Sequence, residues 1–215
     1  MKYKGIIFDL DGVICSTDEY HYQAWKALAD RLGIDFDRER NNQLRGVSRM
    51  ASLDILLGEQ GGVYTDRAKQ EMAEEKNDLY REMLGRMSPL DLEKEVRKTL
   101  FMIRKSGIRM AIGSSSRNTP YILDRIGLEE FFDAVSDGNN ITRSKPDPEV
   151  FLKAAEMLGL QPADCLVVED AHSGVEAAVN GGFDCAAIGD AKEDARATYH
   201  LGGFADLQGI VLPAC

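Results

Sequence analysis

Asp9 and Asp11 follow the apolar run Ile6-Ile7-Phe8 with a single leucine between them. Two like charges at the end of a buried strand repel each other, so either a cation holds them or a reaction needs them. Three other stretches carry comparable groups. Ser114-Ser115-Ser116 follows the run that ends at Gly113, Lys145 stands in "SKPDPEVF" just ahead of a helical pattern, and Glu169-Asp170 closes the run "CLVVED". Hard carboxylate oxygens suit Mg²⁺, which keeps part of its water shell and pairs with substrate phosphate. A hydroxyl such as that of Ser114, nearby backbone N–H groups and Lys145 can hold phosphate oxygens. A lone aspartate in such a place reads as a solvated loop or a helix cap, and Ser115 and Ser116 alone read equally well as a polar turn. Asp9 and Asp11 beside Glu169 and Asp170, all at strand ends, do not reduce to that.

The elements that must bring these groups together alternate along the chain. Short apolar runs predict strands at Ile6–Leu10, Ile108–Gly113, Cys165–Glu169 and Cys185–Ile188, with a shorter one near Phe132–Ser136. Helical patterns lie between them. In "DLEKEVRKTLFMIRKSG", Leu92, Val96, Leu100 and Ile103 recur at helical spacing and Gly107 supplies a stop. "NTPYILDRIG", "PDPEVFLKAAEMLG" and "HSGVEAAVNGG" also run into glycines. Strand alternating with helix predicts an α/β fold with a doubly wound parallel sheet, and such sheets bind ligands beyond the carboxyl ends of their strands.

One region breaks the rhythm. From Thr17 to Ser88 only helical patterns occur, among them "STDEYHYQAWKALADRLG" and the charged, amphipathic "TDRAKQEMAEEKNDLYREML". We therefore expect a core domain built from residues 1–15 and 89–215 and an inserted all-helical cap domain over residues 16–88. Ser88-Pro89 marks the return crossing, because a residue before proline is pushed out of helix. Two adjacent crossings predict a lid that hinges over the sheet.

The remaining bounds come from composition. The chain has 215 residues, 44% hydrophobic and 29% charged, which fits a soluble globular protein with one core and a smaller companion. A net charge of -10 argues against nucleic acid or an anionic membrane as partner, but not against a small phosphorylated substrate held by a few local cations. No apolar stretch approaches a membrane span, and the N-terminus lacks a signal-peptide apolar region. Cys15, Cys165, Cys185 and Cys215 show no CxxC spacing, so neither zinc nor a disulfide framework is expected, and the location expected is the reducing cytoplasm. Cys165 and Cys185 read as small core residues, and Cys15 as packing rather than a nucleophile. A monomer is expected.

"DLDGV", "SSS", "SKPDP" and "VVEDAHSGVEAA", in that order, resemble the motifs of the haloacid dehalogenase superfamily of phosphotransferases, and the resemblance spans the whole chain. Within it, "EYHYQAWKALADRLGI", "LRGVSR", "EEKNDLY" and "GSSSRNTPYIL" most resemble the β-phosphoglucomutase family. The resemblance implies interconversion of β-D-glucose 1-phosphate and glucose 6-phosphate through an aspartyl phosphate and a 1,6-bisphosphate; the alternative is a sugar-phosphate phosphatase of the same fold. It implies Asp9 as the nucleophile and Asp11 as the general acid/base. It implies Asp9, the backbone carbonyl of Asp11 and Asp170 as Mg²⁺ ligands, with Glu169 close by. Ser114 and Lys145 are implied to hold the transferring phosphoryl group. Arg49 is implied to clamp the distal phosphate, helped by Ser116 and Asn118, with Ser115 in the same substrate-binding set. His21 and Lys76 are implied as sugar-side contacts, and Thr17 as a hydrogen-bonder beside the hinge. Dehalogenation is disfavoured, because halide-transferring relatives lack the second acid.

Without the resemblance, His21, Arg49 and Lys76 read as surface charges on polar helices, Tyr22 and Trp25 as core of the helical segment, and His172 as a helix start. Ser16, Arg45, Arg117 and Lys94-Glu95 depart from the family's usual residues. Arginine in place of lysine keeps charge but changes geometry.

Overall fold

A computed structural model describes residues 2–212; Cys215 lies outside the described residues. Six strands form one sheet: β1 (Gly5–Phe8), β2 (Arg109–Gly113), β3 (Ala134–Ser136), β4 (Cys165–Glu169), β5 (Asp184–Ala187) and β6 (Tyr199–His200). Their spatial order is β3-β2-β1-β4-β5-β6, and every pairing is parallel. The doubly wound parallel sheet expected from the alternation is therefore present. The expected edges shift slightly: β1 ends at Phe8 rather than Leu10, and β5 runs from Asp184 to Ala187. β6 was not foreseen, because two residues with no apolar alternation give no period to read.

Alternate residues of β1 point to opposite faces, so both faces must be covered. Ile6 and Phe8 pack with Leu100 and Ile103 of α5 (Lys94–Lys105), Ile122 of α6 (Thr119–Arg125) and Leu207 of α9 (Leu207–Val211). Ile7 packs on the other side with Val150 and Phe151 of α7 (Glu149–Leu158) and Val175 of α8 (His172–Asn180). The glycine stop expected after "KAAEML" is Gly159, in the left-handed conformation that ends α7.

Between β1 and β2 the chain forms α1 (Asp18–Leu32), α2 (Arg38–Asn42), α3 (Arg49–Leu57) and α4 (Asp66–Leu84). These helices share a core of their own, built from Trp25, Leu28, Phe36, Leu53, Leu56 and Met72, with Tyr22 packed against it. Tyr80, Met83, Leu84 and Met87 instead join the cluster on the sheet's α5 face, tying the return end of the insertion to the sheet. No helix among the described residues is long and apolar enough to cross a membrane.

Candidate active site

Strand register decides which side chains meet. Phe8 lies level with Ile112 of β2 and Val168 of β4, so Asp9, Gly113 and Glu169 come next in line on three adjacent strands. The Asp9 N–H continues the ladder by donating to the Val168 carbonyl at 2.9 Å. Asp9, Ser114, Lys145, Glu169 and Asp170 are all buried at this edge. The Lys145 ammonium donates to Asp9 Oδ1 and to Glu169 Oε1, each at 2.5 Å. The second Glu169 oxygen accepts the Ala171 N–H at 2.7 Å. Gly174 makes room for that carboxylate, since a Cβ there would lie 1.8 Å from Glu169 Oε1.

Asp9, Glu169 and Asp170 present carboxylate oxygens within 4.8 Å of one another. These three carboxylates face the Lys145 ammonium and, at Asp170, the Arg45 guanidinium, which Asp18 and Asp190 share, so negative charge is in surplus. Burial and the neighbouring carboxylates push the Asp9 carboxyl up to about 7 and that of Asp170 up to about 9. Lys145, between two carboxylates, is held above the usual lysine range despite its burial. Asp11 is pushed up to about 6 by burial, against the opposing pull of its hydrogen bond from Thr17. Thr17 occupies the N-cap of α1 but gives its hydroxyl to Asp11 instead of capping. Cys15 is buried, and burial raises its thiol well above the ordinary range, which fits packing rather than nucleophilic chemistry.

A cavity of about 550 Å³ opens over the acids, between the sheet edge and the inserted helices. His21, Arg49 and Lys76 reach it from the helices, and Ser114, Ser115, Ser116 and Asn118 from the sheet, so the structure gathers all of these predicted residues around one space. Lys76 is buried, not exposed, and its ammonium lies 2.9 Å from His21 Nδ1. It sits over the rings of Tyr80 and Trp25, at 4.4 and 4.7 Å from their centroids. Burial drives Lys76 well below the usual lysine range and His21 below the usual imidazole range, and the Lys76 charge adds to the effect on His21. Trp25 does belong to the helical core, as expected, but it also forms part of the cavity wall.

Of the arginines lining the cavity, Arg49 has no ion-pair partner among the described residues, and neither has Arg117. Burial and the Arg117 charge lower the Arg49 guanidinium from its ordinary value. Asn118 accepts a hydrogen bond from Arg81 at 3.0 Å and donates to Asn77 at 2.9 Å, joining α6 to α4. His172 starts α8, where it pairs with Asp194 at 2.7 Å.

Sequence reasoning missed Tyr80, Asn77 and the linking role of Arg45. Arg45 pairs with Asp170 at 3.1 Å and also with Asp18 and Asp190. No local pattern marks these residues, because their partners lie on other elements. Tyr80 stacks on His21 with ring centroids 4.0 Å apart, and its buried hydroxyl has no hydrogen-bond partner.

Sheet, acid cluster and roofed cavity together are the build of an α/β enzyme with an enclosed polar site. The chain belongs to the haloacid dehalogenase-like hydrolase family, whose model matches residues 3–182. It is 40% identical over 191 residues to a β-phosphoglucomutase of Bacillus subtilis, an alignment covering 88% of this chain and 84% of the relative. It is 32% identical over 186 residues to a fructose-1-phosphate phosphatase of Escherichia coli, covering 85% and 95% of the two chains. The crystal structure of a β-phosphoglucomutase from Clostridium difficile superposes with a TM-score of 0.90 at 33% identity, over 95% of this chain and 93% of that one.

Proposed function

We propose that the protein is a β-phosphoglucomutase, interconverting β-D-glucose 1-phosphate and glucose 6-phosphate through a 1,6-bisphosphate. The observation that carries this reading is a cavity over the acid cluster whose wall also holds arginines without carboxylate partners among the described residues. Lys145 is buried against Asp9, which lines the cavity, and Arg49 and Arg117 are the arginines that line it unpaired. A bisphosphate needs cations for a second phosphate besides those at Asp9; a monophosphate does not. The 40% identity to a β-phosphoglucomutase supports the same reading. The 32% identity to a sugar phosphatase supports the alternative, a hydrolase using the same core.

The Asp9 carboxylate attacks phosphorus in line, forming the O–P bond of an aspartyl phosphate while the bond from phosphorus to the sugar oxygen breaks. Asp11 gives its proton to that departing oxygen and later takes one from the hydroxyl that recaptures the phosphoryl group. A carboxyl pushed up to about 6 is suited to moving a proton in both directions near neutrality. Lys145 and Ser114 hold the transferring phosphoryl oxygens. Arg49, Ser116 and Asn118 hold the distal phosphate, while His21 and Lys76 contact the sugar side.

The all-oxygen cluster with its surplus negative charge fits a hard divalent cation. Asp9, Asp170 and the Asp11 carbonyl would hold Mg²⁺, with Glu169 already engaged by Lys145 and the Ala171 N–H. When bound, it supplies neutralisation of phosphoryl oxygen charge. Residues 16–88 act as the lid, and closure excludes water from the aspartyl phosphate.

The test supplies β-glucose 1-phosphate, Mg²⁺ and a trace of 1,6-bisphosphate, and measures glucose 6-phosphate and free phosphate in parallel. Glucose 6-phosphate far in excess of phosphate, with no use of the α anomer, is expected. Arg49→Ala should lose mutase flux yet keep slow phosphate release. Phosphate accumulating one-for-one with substrate loss establishes the hydrolase instead.

A further inference from the structure

The loop between α2 and α3 carries Arg45 and Gly46 across the mouth of the cavity and ends in Ser48, the N-cap of α3, whose first residue is Arg49. Two successive carbonyls of this loop are caught by hydroxyls from the other side. Ser115 Oγ, just beyond β2, donates to the Gly46 carbonyl at 2.9 Å. Ser173 Oγ, in the first turn of α8, donates to the Arg45 carbonyl at 3.1 Å. The approach is close enough to demand glycine: Gly46 has φ +75°, and a Cβ on it would lie 2.4 Å from Ser173 Oγ.

The neighbouring serines do something else. Ser114 Oγ accepts the Ser116 N–H, and Ser116 Oγ accepts the Asn118 N–H, so both stay within their own turn. In that triplet only Ser115 reaches the helical insertion through its hydroxyl. A substrate-facing hydroxyl would point its hydrogen into the cavity, whereas the Ser115 hydrogen is committed to a backbone oxygen.

We propose that Ser115 and Ser173 are positioning residues that latch the 44–48 loop, and with it Arg49, onto the sheet edge. The inference rests on the reading of residues 16–88 as a lid over a phosphoryl-transfer site. Neither serine moves a proton or a phosphoryl group in this role. The two hydroxyl-to-carbonyl bonds weight the lid toward closure by acting on the backbone, whatever sugar is bound. Each neutral hydrogen bond of this kind shifts an equilibrium by roughly 2- to 12-fold. A latch of two such bonds is strong enough to keep water out and weak enough to release within a turnover. Because only Val47 and Ser48 separate the Arg45–Gly46 pair from the start of α3, a slack latch also loosens the aim of Arg49.

Hydrogen exchange of the free protein tests the latch without any substrate. In Ser115→Ala/Ser173→Ala, amides of residues 43–48 should exchange faster by roughly 5- to 100-fold, while β1, β2 and β4 keep wild-type protection. Unchanged exchange at 43–48 in a variant with intact sheet protection overturns the proposal. Should the double variant lose sheet protection, Ser173→Ala alone and Gly46→Ala decide. The first removes one bond and the second wedges the seam from the lid side, and both must raise exchange at 43–48. With β-glucose 1-phosphate, Ser173→Ala should also raise the ratio of phosphate released to glucose 6-phosphate formed. If the wild-type protein releases only phosphate, the mutase reading fails while the exchange result still decides the latch.

Discussion

Lys76 holds its ammonium 2.9 Å from His21 Nδ1, and no carboxylate among the described residues comes within ion-pairing distance of it. A buried amine against an imidazole, over two aromatic faces, is a cation kept in an unfavourable place until an anion arrives. Burial lowers its proton affinity in the free protein. A bound phosphorylated ligand favours the charged form and raises that affinity again. Binding should therefore take up protons. Calorimetry of ligand binding in buffers of different ionisation enthalpy, at pH 7 and pH 9, measures this. Lys76→Met should abolish the uptake and weaken binding; uptake unchanged in Lys76→Met sinks the argument.

The acid cluster makes the opposite prediction for a cation. Asp9 at about 7 and Asp170 at about 9 hold protons that Mg²⁺ must displace. Binding should release protons, and affinity should rise with pH. Tm of the chelated protein should increase on adding Mg²⁺, by more at pH 8 than at pH 6. Ca²⁺, larger and less strict in geometry, should support little turnover even where it raises Tm. An equal rise in Tm at both pH values, or full activity in chelator, contradicts the assignment.

Two glycine-to-alanine changes separate clash from propensity. Gly174→Ala lies inside α8, where alanine is intrinsically better by roughly 0.5–1 kcal/mol. Its Cβ would sit 1.8 Å from Glu169 Oε1 and 2.0 Å from Cδ, displacing a buried carboxylate that holds Lys145. The clash should win, for a net loss of about 1–3 kcal/mol. Gly209→Ala in α9 meets no atom within 4 Å and should gain a few tenths of a kcal/mol up to about 1 kcal/mol. Urea unfolding of both variants measures the contrast; destabilisation by Gly209→Ala comparable to that by Gly174→Ala would refute the steric reading.

What was legible in the sequence depended on range. β1, β2 and β4 could be read because five or fewer apolar residues ended on charged or small groups, and parallel register then brought Asp9 and Glu169 into adjacent positions. β6 could not be read, since its two residues belong to the sheet only through their pairing with Ala186 and Ala187. Helix α4 looks uniformly polar in "AEEKND", so Lys76 resembles its charged neighbours. Only the tertiary opposition of α1, bringing His21 and Trp25 over that turn, makes it a buried group. Arg45 likewise gains its meaning from Asp18, Asp170 and Asp190, which lie far from it in sequence.

The two aspartates that end β1 should be separable by substrate chemistry. Asp9 is buried against Lys145, and Asp11 accepts the Thr17 hydroxyl at the start of α1. Asp9→Asn keeps the volume and the Lys145 contact but removes the attacking charge, so turnover of every phosphorylated substrate should vanish while Tm stays close to that of the wild type. Asp11→Asn leaves the attack intact and removes the proton donor. On a sugar phosphate, whose alkoxide leaving group needs that proton, the loss should be about 10²–10⁴-fold. On an activated aryl phosphate, whose phenolate leaves without protonation, the loss should be several-fold at most. Above pH 6 the wild-type enzyme's advantage on sugar phosphates over aryl phosphates should narrow, because the Asp11 carboxyl, pushed up to about 6, is then increasingly ionised before the ligand binds. Paired pH–rate profiles on the two substrates give both quantities at once. Equal losses on the two substrates in Asp11→Asn would assign that residue to holding the lid or the cation rather than to carrying the proton.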